Sequence, residues 1–169
     1  MKCFAIPQHK KENVKMSKIC CFAGHSELYG EDGLYEKLLS VTEELILTEG
    51  ITVFWAGNYG DFDRLCAKAV KALKEKYPEI KLELVVPYVT ADIREYPDQY
   101  KSIYDNILIA EIPEKTPKRL GIIKANQYMV KKSCVLVCFV KRQFGGAAKT
   151  LEFAQKNSGM KIINLGIPE

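Results

Sequence analysis

Residues 134–150 read CVLVCFVKRQFGGAAKT. The first seven, Cys134 to Val140, are apolar without a break, which marks a strand covered on both faces. The turn at Gly145-Gly146 opens a helical stretch to about Asn157, and a second apolar run follows at Lys161 to Leu165. Two such strands joined through a helix form a parallel crossover unit, so the fold is read outward from this segment.

The same alternation runs through the chain. Lys18 to Ala23 is an apolar run ending at Gly24; Leu34, Leu38, Val41, Leu45 and Ile46 recur at helical steps before Gly50. Ile51 to Trp55 is a second strand that stops at Gly57-Asn58-Tyr59-Gly60. Phe62, Leu65, Cys66, Ala69, Val70 and Leu73 then trace one helix face. Leu82 to Val86 is a third strand. The spacing of Tyr96, Tyr100 and Tyr104 predicts a short helix, Ile107 to Ile112 a fourth strand, and Lys118 to Lys132 another helix. The predicted class is a three-layer α/β, Rossmann-like fold with a mainly parallel sheet. Residues 17–169 are read as its single domain and residues 1–16, polar and without periodicity, as a disordered extension.

Composition bounds the function. The 169 residues are 47% hydrophobic and 27% charged, ordinary globular usage. Twenty-five Lys plus Arg against 21 Asp plus Glu leave a formal charge of +4, interspersed rather than clustered. No apolar run approaches a membrane span and the polar start does not read as a secretion signal, so a cytoplasmic protein is expected. The adjacent Cys20 and Cys21 and the lack of a C-x-x-C pair suggest reduced thiols, and two His give no zinc spacing. No metal and no cofactor are predicted.

In parallel sheets, ligands bind beyond the carboxyl ends of strands, where strand order reverses. Those positions hold Gly24-His25-Ser26-Glu27, Gly57-Asn58-Tyr59-Gly60 with Asp61 and Asp63, and Gly145-Gly146 with Lys149 and Thr150. Gly145-Gly146 at a helix start suits phosphate, and Lys149 adds charge there. Asp61 reads as a helix cap, whereas Asp63 in the cleft would accept ribose hydroxyls. His25 and Glu27 are candidates for acid or base work. The dinucleotide pattern G-x-G-x-x-G and the P-loop pattern are both absent.

Taken together, Gly24-His25, Gly57 through Asp63, Lys124-Ala125-Asn126-Gln127-Tyr128-Met129-Val130 and Gly145 through Thr150 resemble the SLOG superfamily, and within it the YpsA-like branch. The resemblance covers about Ser17 to Leu165. It implies a Rossmann-like fold that binds nucleotides or nucleotide-derived ligands, with Asn126 reaching the ligand and Met129 left to the core. The enzymatic LOG-type branch, which cleaves the base from a nucleoside monophosphate, carries P-G-G-x-G-T-x-x-E. Gly145, Gly146 and Glu152 match that pattern, while Phe144, Ala148 and Lys149 depart from it. That branch's arginine has no counterpart, and Ser26 stands where the YpsA-like branch commonly has arginine.

These residues give three readings. The first is a sensor or regulator binding an ADP-ribose-like nucleotide, and the second a phosphoribohydrolase using Glu152. The third, single-stranded nucleic-acid binding by analogy with the DprA members of the superfamily, ranks last because no basic stripe with interleaved aromatics is visible. Nucleic acid is therefore not expected as a partner, and self-association is expected from the tyrosine-rich stretch. Because residues 1 to 15 lack apolar periodicity, a chain starting at Met16 should keep its melting temperature in differential scanning calorimetry.

Overall fold

The computed structural model describes residues 16–167, so the extension expected over residues 1–16 lies outside them apart from Met16. In chain order the elements are β1 (Lys18–Gly24), α1 (Leu34–Glu44), β2 (Ile51–Ala56), α2 (Asp61–Lys74), β3 (Lys81–Val86), α3 (Ala91–Glu95), α4 (Pro97–Ile103), β4 (Asn106–Ile109), α5 (Lys118–Lys132), β5 (Val135–Phe139), α6 (Gly146–Gln155) and β6 (Lys161–Asn164). The six strands form one sheet in the order β4-β3-β2-β1-β5-β6, and every pairing is parallel. This is the Rossmann-like α/β fold that the apolar runs predict.

Period-two alternation along β1 builds both cores at once. Cys20 and Phe22 point into the layer shared with α1 and α2, where Phe22 stacks on Phe54 at 5.9 Å between ring centres. Cys21 and Ala23 point the other way, into the layer of α5 and α6 with Ala125 and Met129. Trp55 closes that second layer by stacking on Tyr128 at 5.8 Å and donating its indole N–H to Glu83. Cys20, Cys21, Cys66 and Cys138 are buried thiols, and burial pushes them all up, Cys21 and Cys138 to about 12. They act here as small apolar side chains.

Two local features differ from the simple reading. The end of α1 widens into a π-helical turn over Leu45–Glu49 before Gly50, at φ 67, closes it in the left-handed region. The tyrosine segment is two short helices, α3 and α4, because Tyr96 leaves helical geometry and Pro97 starts the next helix. Among the described residues no helix is long and apolar enough to cross a membrane.

The turn into α2 passes directly over the chain leaving β1. A Cβ on Gly60 would overlap the Ser26 backbone, so glycine is required there by close approach. Gly60→Ala should therefore lower stability by about 1 to 3 kcal/mol. Gly146→Ala, where a Cβ meets open space, should leave the urea midpoint almost unchanged.

Candidate nucleic-acid interface

β1 is the strand at which the order reverses, since the chain leaves it toward β2 on one side and reaches β5 on the other only much later. A cleft of about 230 Å³ opens beyond the carboxyl ends of these strands. Gly24, His25 and Ser26 form one wall, and Tyr59, Gly60 and Asp63 the next. Asn126 and Ile122 enter from α5, while Arg142, Phe144, Gly145 and Gly146 close the cleft from the β5–α6 loop.

The β1 end is held to α2 by backbone. Asp61 N–H donates to Ser26 O at 2.8 Å, and Asp61 Oδ2 accepts the Leu28 N–H at 3.0 Å. Asp61 therefore does not cap its own helix as the sequence suggests. It ties the β1 loop down, and these bonds and Arg64 hold its carboxyl below the usual range. Gly24 is bare because Phe62 packs where its Cβ would be.

His25 is buried, and its Nε2 accepts the Lys141 N–H at 2.9 Å and the Arg142 N–H at 3.3 Å. Accepting at Nε2 requires the neutral ring with its proton on Nδ1. Burial first, then the charge of Arg142, lowers its pKa below the ordinary 6.5. The geometry gives His25 a positioning role in the β5–α6 loop.

Asp63 faces the cleft, and its Oδ2 accepts the Tyr59 N–H at 2.9 Å. Burial nevertheless raises its carboxyl to about 6. The neighbouring Tyr59 hydroxyl is buried without a hydrogen-bond partner among the described residues.

At α6 the glycines lie open at the helix start, where free N–H groups favour an anion. The rest of the predicted site turns elsewhere. Ala147, Thr150 and Ala154 set the buried face of α6, so Lys149 is exposed and stands away from the cleft walls. The Thr150 hydroxyl is buried and donates to Gly146 O at 2.9 Å. Glu152 is 66% exposed and paired with Lys156 at 2.9 Å, which keeps its carboxyl low, with no path to the cleft. Glu27 is exposed and accepts the Tyr29 hydroxyl, Gly57 lies beneath Asp63, and Asn58 turns away to bond Tyr100.

The sequence reading misses Arg142, Phe144 and Tyr59 as cleft residues. The Arg142 guanidinium sits 5.7 Å over the Phe144 ring, and that ring is 70% exposed. A basic residue and an aromatic two apart before a glycine turn were the available signal; only the folded loop brings them together.

No protein-family model matches the chain. Its sequence is 29% identical to the uncharacterised SPbeta prophage-derived protein YoqJ of Bacillus subtilis strain 168, over 73% of this chain and 81% of that protein. Its fold matches DNA processing protein A (DprA) of Streptococcus pneumoniae with a TM-score of 0.62 at 16% identity. That match covers 90% of this chain but 51% of the other, so the chain spans about half of that protein. A DprA from Helicobacter pylori, described for its single-stranded DNA binding mode, matches with a TM-score of 0.61 at 13% identity, over 90% of this chain and 66% of that one. The expectation that nucleic acid is not a partner is corrected here, because a protein sharing this fold binds single-stranded DNA. The expectation rested on linear charge spacing, which does not show what the fold places side by side.

A carboxyl raised from 3.8 to about 6 is disfavoured as an anion by the fold. Its contribution to stability is full below pH 3.8 and is lost as pH rises through about 6. Asp63→Asn should thus stabilise the protein by roughly 1 to 3 kcal/mol well above that pH, with the gain vanishing near pH 4. Urea unfolding at both ends of the range reads this directly.

Proposed function

We propose that the protein binds single-stranded nucleic acid at the cleft between β1 and β5. The observation that carries this reading is the pairing of an open helix N-terminus, at Gly145-Gly146, with the Arg142–Phe144 pair on the same loop. A phosphate seated on the α6 N–H groups leaves the next phosphate to Arg142 and an unpaired base to the exposed Phe144 ring. A ring 70% in water, beside a guanidinium, is what base stacking uses.

Cleft size favours a strand over a free nucleotide. At about 230 Å³ it falls below the roughly 300 to 1,000 Å³ that enclose small ligands, so it takes a phosphate and sugar and leaves the base outside. A strand tolerates that, because its affinity is summed over several contacts. The placement of Glu152 outside the cleft removes the carboxylate on which the glycosidase reading relied.

Binding of fluorescent oligothymidylate, followed by anisotropy against salt, tests the proposal. Wild type should bind with a negative slope of log affinity on log salt. Arg142→Ala should weaken binding and lower that slope by about 0.7, the value for one single-strand phosphate contact. Phe144→Ala should weaken binding by about 5-fold or more without changing the slope. A duplex bound as tightly as the single strand, or unaltered binding in both variants, would reject the reading.

A further inference from the structure

A second, larger hollow of about 660 Å³ lies on the other side of the 57–60 turn, between α2 and α4. Asn58 lines this hollow while Tyr59 and Gly60 line the cleft, so a single turn separates the two. One wall is the face of α2 that carries Arg64, Lys68 and Lys71, at helical steps of four and three, about 10 Å from end to end. The opposite wall carries Tyr96, Tyr100 and Tyr104.

The tyrosines form a graded ladder. Tyr104 is buried, Tyr100 stacks on it at 6.5 Å and is held by Asn58 at 3.2 Å, and Tyr96 is 51% exposed. Packing explains the first two; it leaves the Tyr96 ring facing water. The cations are likewise placed but not neutralised. Lys68 lies over the Tyr35 ring at 4.8 Å and Lys71 donates to Ser102 O at 3.1 Å, so neither is ion-paired to a carboxylate among the described residues. Arg64 does pair with Asp61, and Asp92 is the acidic residue in the lining.

We propose that this hollow is a second subsite for the same single strand, with a base against Tyr96 and Tyr100 and phosphates on Lys68 and Lys71. It rests on the reading given above for the β1–β5 cleft and extends it. Charge decides the occupant: an apolar peptide would leave the lysines unmatched, whereas a strand supplies a phosphate for each base. Continuity supports it, because a chain leaving the cleft past Gly60 meets this wall next. The proper ligand is then an oligonucleotide long enough to cross the turn.

The test uses the full chain with oligothymidylates of increasing length, some carrying iodouracil for photocrosslinking, and light scattering on each variant. Lys68→Ala/Lys71→Ala should reduce the salt slope by about 1.4. Tyr96→Ala should weaken long oligonucleotides by about 5-fold or more, with Tyr96→Phe retaining affinity. Crosslinks should fall on Tyr96 or Tyr100. If these variants bind every length as wild type does while Arg142→Ala still weakens binding, this subsite is overturned and the cleft stands. If they weaken binding and Arg142→Ala and Phe144→Ala do not, the hollow is a binding site and the cleft reading fails. A strand that binds neither overturns both. A dimer that Tyr96→Ala dissociates, with oligonucleotide binding unchanged, overturns the subsite in favour of self-association.

Discussion

The pairing of β1 with β5 is the contact on which the rest of the molecule depends, because it joins the beginning of the chain to its last third. Cys21 lies opposite Leu136 and Gly24 opposite Phe139, so both strands end at one level. The sheet is parallel, so each strand enters from the same edge and every strand-to-helix turn collects at the other. His25 follows from that register. Its N–H donates to Phe139 O at 3.3 Å and its ring accepts two loop N–H groups, so one residue past β1 sets the path of the chain past β5. Protonating Nε2 would remove an acceptor and add a charge beside Arg142, which is why the fold keeps the ring neutral.

Strand positions were legible because a strand buried on both faces favours apolar residues throughout, and β1, β2 and β5 are written as near-continuous apolar runs, while β3 keeps Glu83 among its apolar residues as the acceptor of the Trp55 indole N–H. Gly24, His25, Gly60, Asp63 and Gly145 could be named for the cleft because topology fixes where such strands end. Helix phase was harder to read. Lys149 sits one residue from Thr150, yet one is exposed and the other buried, a difference set by which side of α6 meets the sheet. The Arg142–Phe144 pair was illegible for another reason: His25, more than a hundred residues away, shapes that loop.

The same limit explains the charge pattern. Arg64, Lys68 and Lys71 look dispersed when read along the chain, since apolar residues lie between them. On α2 they share a face, and Tyr96, Tyr100 and Tyr104, in and flanking α4, line the wall opposite it. A formal charge of +4 spread over the whole molecule is screened within about 10 Å at ordinary salt, so attraction at long range is weak. Any preference for a polyanion must come from local groupings of this kind.

The cleft also has polarity. Its α6 end offers N–H groups and Arg142, both attractive to phosphate. Its α2 end holds Asp63, whose carboxyl near neutral pH is largely ionised and repels phosphate while accepting hydroxyl or amino donors. On the reading proposed above, a nucleotide unit would lie with phosphate toward Gly146 and its sugar toward Asp63. Reversing it would place phosphate oxygens against a carboxylate in a partly buried site, where like charges interact more strongly than in water. On the reading proposed above, Asp63 would thus give a bound strand its direction.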